Sequence, residues 1–246
     1  MNLFNKNKKQ LSIFITAGYP MINSINEQLN LLEEHGVDFV EVGIPFSDPL
    51  ADGPVIQESS SVAINNGMNL SILFEQLKDR NSTLPILLMG YLNPVLNFGI
   101  TKFLKNCNAL NITSVILPDL SLEIYERLYR KQFEAYGVYP SFLITPSTDE
   151  TRVKRTADIC KNSFVYLVSN NATTGGQKNI GEKQLLSYRQ IKTICGKTPV
   201  FVGFGIQSKS DVEAVQSVVD GAIIGSSYLK KLARNEHEKY LSSICS

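Results

Sequence analysis

Eight short apolar runs recur along this chain at near-even spacing, over residues 11–16, 38–43, 85–90, 113–118, 138–144, 164–169, 199–203 and 221–225. They divide 246 residues into eight units of about 31, the size of one strand followed by one helix. Within the runs the apolar positions are consecutive rather than alternating, as in strands buried on both faces. Between them, segments 24–35, 122–136, 149–161 and 182–193 show helical periodicity with charged faces. Eight such units predict an α/β fold of the (β/α)8 TIM-barrel class rather than an open doubly wound sheet. No glycine- or serine-rich linker divides the chain, so one domain is expected over residues 1–246. Asp149 or Ser147 can cap the helix that starts at Glu150, and Ser208 or Ser210 the one that includes 211–215.

Composition narrows the chemistry. Lys plus Arg (24) nearly balances Asp plus Glu (23), and a net charge of +1 gives no global case for nucleic acid or an anionic membrane. No uncharged apolar stretch approaches the ~18 residues of a membrane span. The two histidines, His35 and His237, stand apart in polar helical segments, so a histidine metal site or a Ser-His-Asp triad is not expected. Cys107, Cys160, Cys195 and Cys245 are scattered singly and read as reduced thiols of a cytoplasmic protein. Lys6, Lys8 and Lys9 before the apolar run 11–17 loosely mimic a leader peptide, but the run is short and β-branched. It ends in Gly18-Tyr19-Pro20 and is read as the first strand with its turn. Catalysis is left to carboxylates, hydroxyls and backbone amides.

Two carboxylates stand out. Glu41 lies inside the second run between Val40 and Val42, so the pleat puts Phe39, Glu41 and Gly43 on one face. If the valines meet the helices, Glu41 points into the barrel. A carboxylate there costs several kcal/mol unless paired or protonated. It is therefore either one half of an ion pair or a general acid–base group whose pKa burial has raised. The loop that follows is stiffened by Pro45, Pro49 and Pro54 and carries Asp48 and Asp52. Asp48 suits a turn, and Asp52 suits either a helix cap or a second catalytic carboxylate facing the first.

At the other end of the sequence, Gly203-Phe204-Gly205 closes the seventh run and Gly225-Ser226-Ser227 the eighth. Glycines there let backbone approach a ligand, and the start of a helix after strand eight is a common phosphate site in barrels. Residues 170–181, polar and glycine-containing, suit a lid over bound substrate.

The stretch EVGIPFSDPLADGPVIQ (residues 41–57) resembles the signature of the tryptophan synthase α subunit family. So do FITAGYP (14–20), LMGYLNP (88–94), ILPDL (116–120), YLVS (166–169), VGFGI (202–206) and GSS (225–227), in order along essentially the whole chain. The resemblance implies a TIM barrel that cleaves indole-3-glycerol phosphate to indole and glyceraldehyde 3-phosphate. It implies Glu41 as catalytic acid–base, Asp52 as second catalytic carboxylate, and Tyr166 beside the glutamate. It further implies Thr174 as the lid threonine that hydrogen-bonds that second carboxylate. The phosphate would be held by amides of Gly175, Gly205, Gly225 and Ser226, with the Ser226 hydroxyl assisting. Phe14, Phe204 and Tyr166 are candidate walls for the indole, with core packing as their alternative role. Asn170 and Ala172 depart from the Arg and Gly frequent at these lid positions, which bears on lid kinetics and coupling. The family also implies no metal or cofactor in this subunit. The expected partner is a pyridoxal-phosphate-dependent β subunit in an α2β2 complex, faced by Pro45, Asp48 and the lid. The alternatives are a stand-alone lyase without a partner and a non-catalytic phosphate-binding regulatory barrel. A Schiff-base aldolase needs a strand lysine, and the eight runs contain none. The segment before Phe14 is short and polar, so the sequence leaves the cover of the barrel floor open.

Overall fold

All eight apolar runs are strands in the structure, a computed structural model that describes Phe4, residues 8–168 and residues 180–245. The strands are β1 (Gln10–Thr16), β2 (Phe39–Gly43), β3 (Ile86–Met89), β4 (Ser114–Ile116), β5 (Tyr139–Ile144), β6 (Val165–Val168), β7 (Val200–Gly203) and β8 (Gly221–Ile224). Each pairs in parallel with its sequence neighbour, and β1 pairs with β8 to close a (β/α)8 barrel. Strand ends fall within two residues of the expected ones, the widest gap being at β4, whose pairing stops at Ile116.

The helices wrap the outside. The first four are α1 (Ile25–Glu34), α2 (Pro54–Asn65), α3 (Leu70–Lys78) and α4 (Leu92–Phe98). Next come α5 (Ile100–Ala109), α6 (Leu122–Ile124), α7 (Arg130–Ala135) and α8 (Glu150–Ile159). The last are α9 (Glu182–Cys195), α10 (Lys209–Gln216), α11 (Ser226–Leu232) and α12 (His237–Cys245). The expected continuous helix over 122–136 is interrupted by a wider turn at Tyr125–Tyr129, across which Tyr125 and Phe133 meet edge to face at 5.6 Å. Asp149 caps α8 by accepting from the Arg152 N–H at 2.9 Å. Ser208 caps α10 in a reciprocal box with Asp211.

Strand parity decides what fills the lumen. Register pairs Glu41 with Phe14 on β1 and Leu87 on β3, so these three point the same way, while Val40 and Val42 face the helices. Two residues earlier on β2, Phe39 points inward at the floor, where it meets Phe201 of β7 at 5.3 Å between ring centroids. The cover that the sequence left open is Phe4. Its ring is 1% exposed and lies 5.6, 4.9 and 5.8 Å from those of Phe39, Phe164 and Phe201. Edge-to-face contacts of this kind add about 0.5–1.5 kcal/mol each beyond area burial. Gly221 makes the layer possible, because a Cβ there would lie 2.3 Å from the Phe201 ring.

Candidate active site

One step up the same strands the lumen changes character. Glu41 is fully buried at 0% exposure, and neither carboxyl oxygen has a hydrogen-bond partner among the described residues. No cation among the described residues sits against it, and burial alone raises its pKa to about 8. The ion-pair alternative from the sequence is therefore not what the fold builds. At neutral pH Glu41 carries its proton.

Three aromatic side chains surround this carboxyl. Phe14 is its register partner on β1, and the Phe14 ring lies over Gly43, where a Cβ would come within 2.4 Å of Cζ. Tyr166 on β6 is buried, with its hydroxyl seated over Gly203, 2.0 Å from where a Cβ would be. Its pKa is driven well above the ordinary phenol value by burial first and then by the charges of Glu41 and Asp52. Phe204 follows β7 with a φ of 71° and meets Tyr166 nearly edge-on at 6.1 Å. Glycines at 43 and 203 thus provide the room in which Phe14 and Tyr166 stand beside the acid.

Asp52 comes from the loop after β2. It does not cap α2: the cap position is Gly53, no side chain caps it, and Pro54 occupies the first turn. Instead Asp52 Oδ2 accepts a hydrogen bond from the Tyr91 hydroxyl at 3.2 Å. Burial raises its pKa to about 6 while the Tyr91 bond pulls the other way. Two carboxyl groups whose environments set them about two units apart are the arrangement expected of an acid and an anion sharing one substrate. Asp52 lines a crevice together with Phe14, Thr16, Gly43 and Tyr91, and Phe14 is the register partner of Glu41. A roomier hollow of about 530 Å³ lies outside, between α8 and α9, beside Lys154, Lys161 and Lys197. It contains neither carboxylate.

The glycine pairs behave differently from one another. Gly205, with a φ of 77°, is exposed, and Gly225 and Ser226 are partly exposed. At the start of α10, Asp211 accepts from the Gln207 and Ser208 N–H groups, and the Asp211 N–H donates to Ser208 Oγ. The start of α11 has Gly225 at its cap position and no side-chain cap, which leaves its amides free for an anion. The two loops are tied together: Ser227 Oγ donates to the Ile206 carbonyl at 3.3 Å, and the Tyr240 hydroxyl of α12 donates to the Gln207 carbonyl at 2.9 Å. Gly225 also borders the aromatic wall, a Cβ there lying 3.6 Å from Phe14 Cβ. The crevice and the loops after β7 and β8 therefore form one continuous surface.

With that geometry in place, the sequence profile of the family described as tryptophan synthase alpha chain matches residues 1–244. The chain belongs to this family. A tryptophan synthase alpha chain from Flavobacterium psychrophilum is 43% identical over 241 residues, covering 96% of this chain and 95% of that one. One from Bacteroides thetaiotaomicron is 44% identical over 240 residues, covering 96% and 92%. Among solved structures, the tryptophan synthase alpha chain from Legionella pneumophila superposes with a TM-score of 0.86 at 27% identity, over 100% of this chain and 96% of that one. The subunit alpha from Campylobacter jejuni gives 0.85 at 28% identity, over 98% and 97%.

Within the family frame, the fold brings Glu41, Asp52, Phe14, Tyr166 and Phe204 to one end of the barrel, with Gly205, Gly225 and Ser226 beside them. Thr174, Gly175, Asn170 and Ala172 lie outside the described residues. The proposed docking pair separates: Asp48 is exposed, but Pro45 is buried where the chain leaves β2. Leu50, 92% exposed, takes its place as the apolar residue that this loop presents. Sequence reasoning assigned no role to Tyr91. The signal was parity: Met89 faces inward, so an aromatic two residues on returns to the lumen face at the active end of the barrel.

Proposed function

We propose that this site cleaves indole-3-glycerol phosphate to indole and glyceraldehyde 3-phosphate. The observation that carries the reading is Glu41: a buried carboxyl without a hydrogen-bond partner among the described residues, protonated at neutral pH, while the second carboxylate that acts on the same Tyr166 is ionised. Breaking the bond between indole C3 and the side chain directly would expel a poor aryl carbanion. Protonation of C3 first makes an indolenine cation. Loss of the proton from the side-chain hydroxyl next to the ring then breaks the carbon–carbon bond, and its electrons return to the ring. Glu41 gives the first proton and takes the second, a shuttle favoured by two carboxyl oxygens that nothing else holds. Asp52, ionised above about pH 6, offsets the positive charge that develops at the ring nitrogen only in the transition state. Phe14, Tyr166 and Phe204 wall the indole.

The substrate phosphate is assigned to the uncapped start of α11, at Gly225 and Ser226, and to Gly205, with Gly175 as the lid contribution and Thr174 assigned to a hydrogen bond with Asp52. The reaction as written requires no metal and no cofactor in this chain. Transfer of indole to a pyridoxal-phosphate-dependent β subunit is proposed on family grounds, with Asp48 and Leu50 at the docking face and α2β2 as the assembly. A cytoplasmic location accords with four free cysteines, and no helix among the described residues is long and apolar enough to cross a membrane.

The test is turnover of the purified protein on indole-3-glycerol phosphate, alone and with a β subunit. Indole should form, faster with the partner. Its rate should rise with pH through about 6 as Asp52 ionises and fall through about 8 as Glu41 loses its proton. Absence of indole under both conditions overturns the reading. Equal rates with and without the partner leave the stand-alone lyase.

A further inference from the structure

Asp52 is held by something other than its own loop. That loop carries Pro45 and Pro49, and its bonds near Asp52 engage the Asp52 backbone and not its carboxylate: Asp52 N–H to the Pro49 carbonyl, and Gln57 Nε2 to the Asp52 carbonyl. The carboxylate reaches across to the loop after β3, where the Tyr91 hydroxyl is placed between two groups. The Ala51 N–H donates to Tyr91 Oη at 2.9 Å, and Oη lies 3.2 Å from Asp52 Oδ2. A phenol has one proton. With a backbone donor already pointing at its oxygen, that proton is turned toward the carboxylate. The ring that carries it is fixed in turn, 8% exposed and packed on Phe46 at 5.1 Å between centroids. The backbone after it is anchored as well, because the Leu92 N–H donates to both oxygens of Asp119, at 2.9 and 3.1 Å. Residues from the loops after β2 and β4 thus brace Tyr91 and the backbone beside it, and the Tyr91 hydroxyl holds one oxygen of Asp52.

We infer that Tyr91 is a positioning residue for this reaction, holding Oδ2 of Asp52 by hydrogen bond so that Oδ1 faces the ring N–H of the substrate. The inference rests on the reading of Asp52 as the second catalytic carboxylate and adds how it is aimed. A neutral donor suits the task. A lysine or arginine in its place would cancel the negative charge that the developing cation needs, whereas a phenol orients the carboxylate and leaves its charge whole. The same bond favours the ionised form of Asp52, so the group stays charged further into acid than its burial alone allows.

Tyr91→Phe tests this, because it keeps the ring against Phe46 and removes only the hydroxyl. The expected result is a fall in kcat of about ten-fold or more, the scale of one hydrogen bond to a charged group, with KM little changed. The acid limb of the rate profile should move to higher pH. Tyr91→His, which returns a ring N–H donor, should recover part of the rate, and Tyr91→Leu should not. Phe46→Leu loosens the same packing without touching the hydroxyl and should leave the acid limb in place. If Tyr91→Phe folds and keeps both the kcat and the acid limb of the parent while Asp52→Asn is inactive, the inference is wrong. If Asp52→Asn itself turns over normally, the underlying assignment of Asp52 fails instead.

Discussion

At the floor of the lumen the rings of Phe39, Phe164 and Phe201 converge on Phe4. One pleat further along the same strands stand Glu41, Tyr166 and Gly203: an orphaned acid, a buried phenol and a missing side chain. The strands, their pairing and their burial are shared by both layers. The difference lies in what was placed on alternate residues, so a shift of about 7 Å along a strand turns a layer that stabilises the barrel into one that destabilises it. The aromatic packing and the candidate reacting groups therefore occupy separate levels of the lumen.

The largest effect expected from breaking this division is at the upper layer. Glu41→Gln should lower kcat by about 10²–10⁴-fold, measured as indole release, and a rate near that of the parent would remove Glu41 from the mechanism. The same substitution should change stability in the opposite direction. With a folded-state pKa of about 8 against an ordinary 4.5, Glu41 imposes no penalty below pH 4.5, where folded and unfolded chains both hold the proton. As pH rises from there toward 8, the unfolded chain gives the proton up and the folded one keeps it, so stability falls, by about 3 kcal/mol at pH 7. Denaturant titrations across that window should show the slope in the parent and a flatter line in Glu41→Gln.

At the lower layer, Phe4→Ala should cost about 3–5 kcal/mol by the same titrations while the folded fraction keeps its kcat. A comparable loss of kcat per folded molecule would mean that the layers are coupled after all. The smallest effect is expected at the rim. Tyr240→Phe removes one neutral hydrogen bond that steadies the loop after β7, and KM should rise a few-fold, by about 1 kcal/mol of binding, with kcat unchanged.

Much of this was legible because double-sided burial leaves plain marks. Eight unbroken apolar runs gave all eight strands, and Glu41 stood out because a charged residue inside such a run has few benign explanations. The cap at Ser208 was also readable, because a serine three residues before an aspartate at a helix start can bond reciprocally with it. Phe4 was illegible for the converse reason. A lone aromatic in a lysine-rich segment has no period to declare its direction, and its partners lie on β2, β6 and β7. Tyr91 was passed over because an aromatic at a strand end reads as packing until the loop that reaches back to it is seen. Pro45 misled because loop position in sequence does not say which prolines the barrel rim covers.

The ring of Phe4 has one more consequence. It stoppers the base of the tube, so among the described residues the floor is closed and the level of Glu41 faces outward past the turns that follow the strands. A ligand proposed for that level would arrive and depart at the end of the barrel where Asp52 and Tyr91 stand.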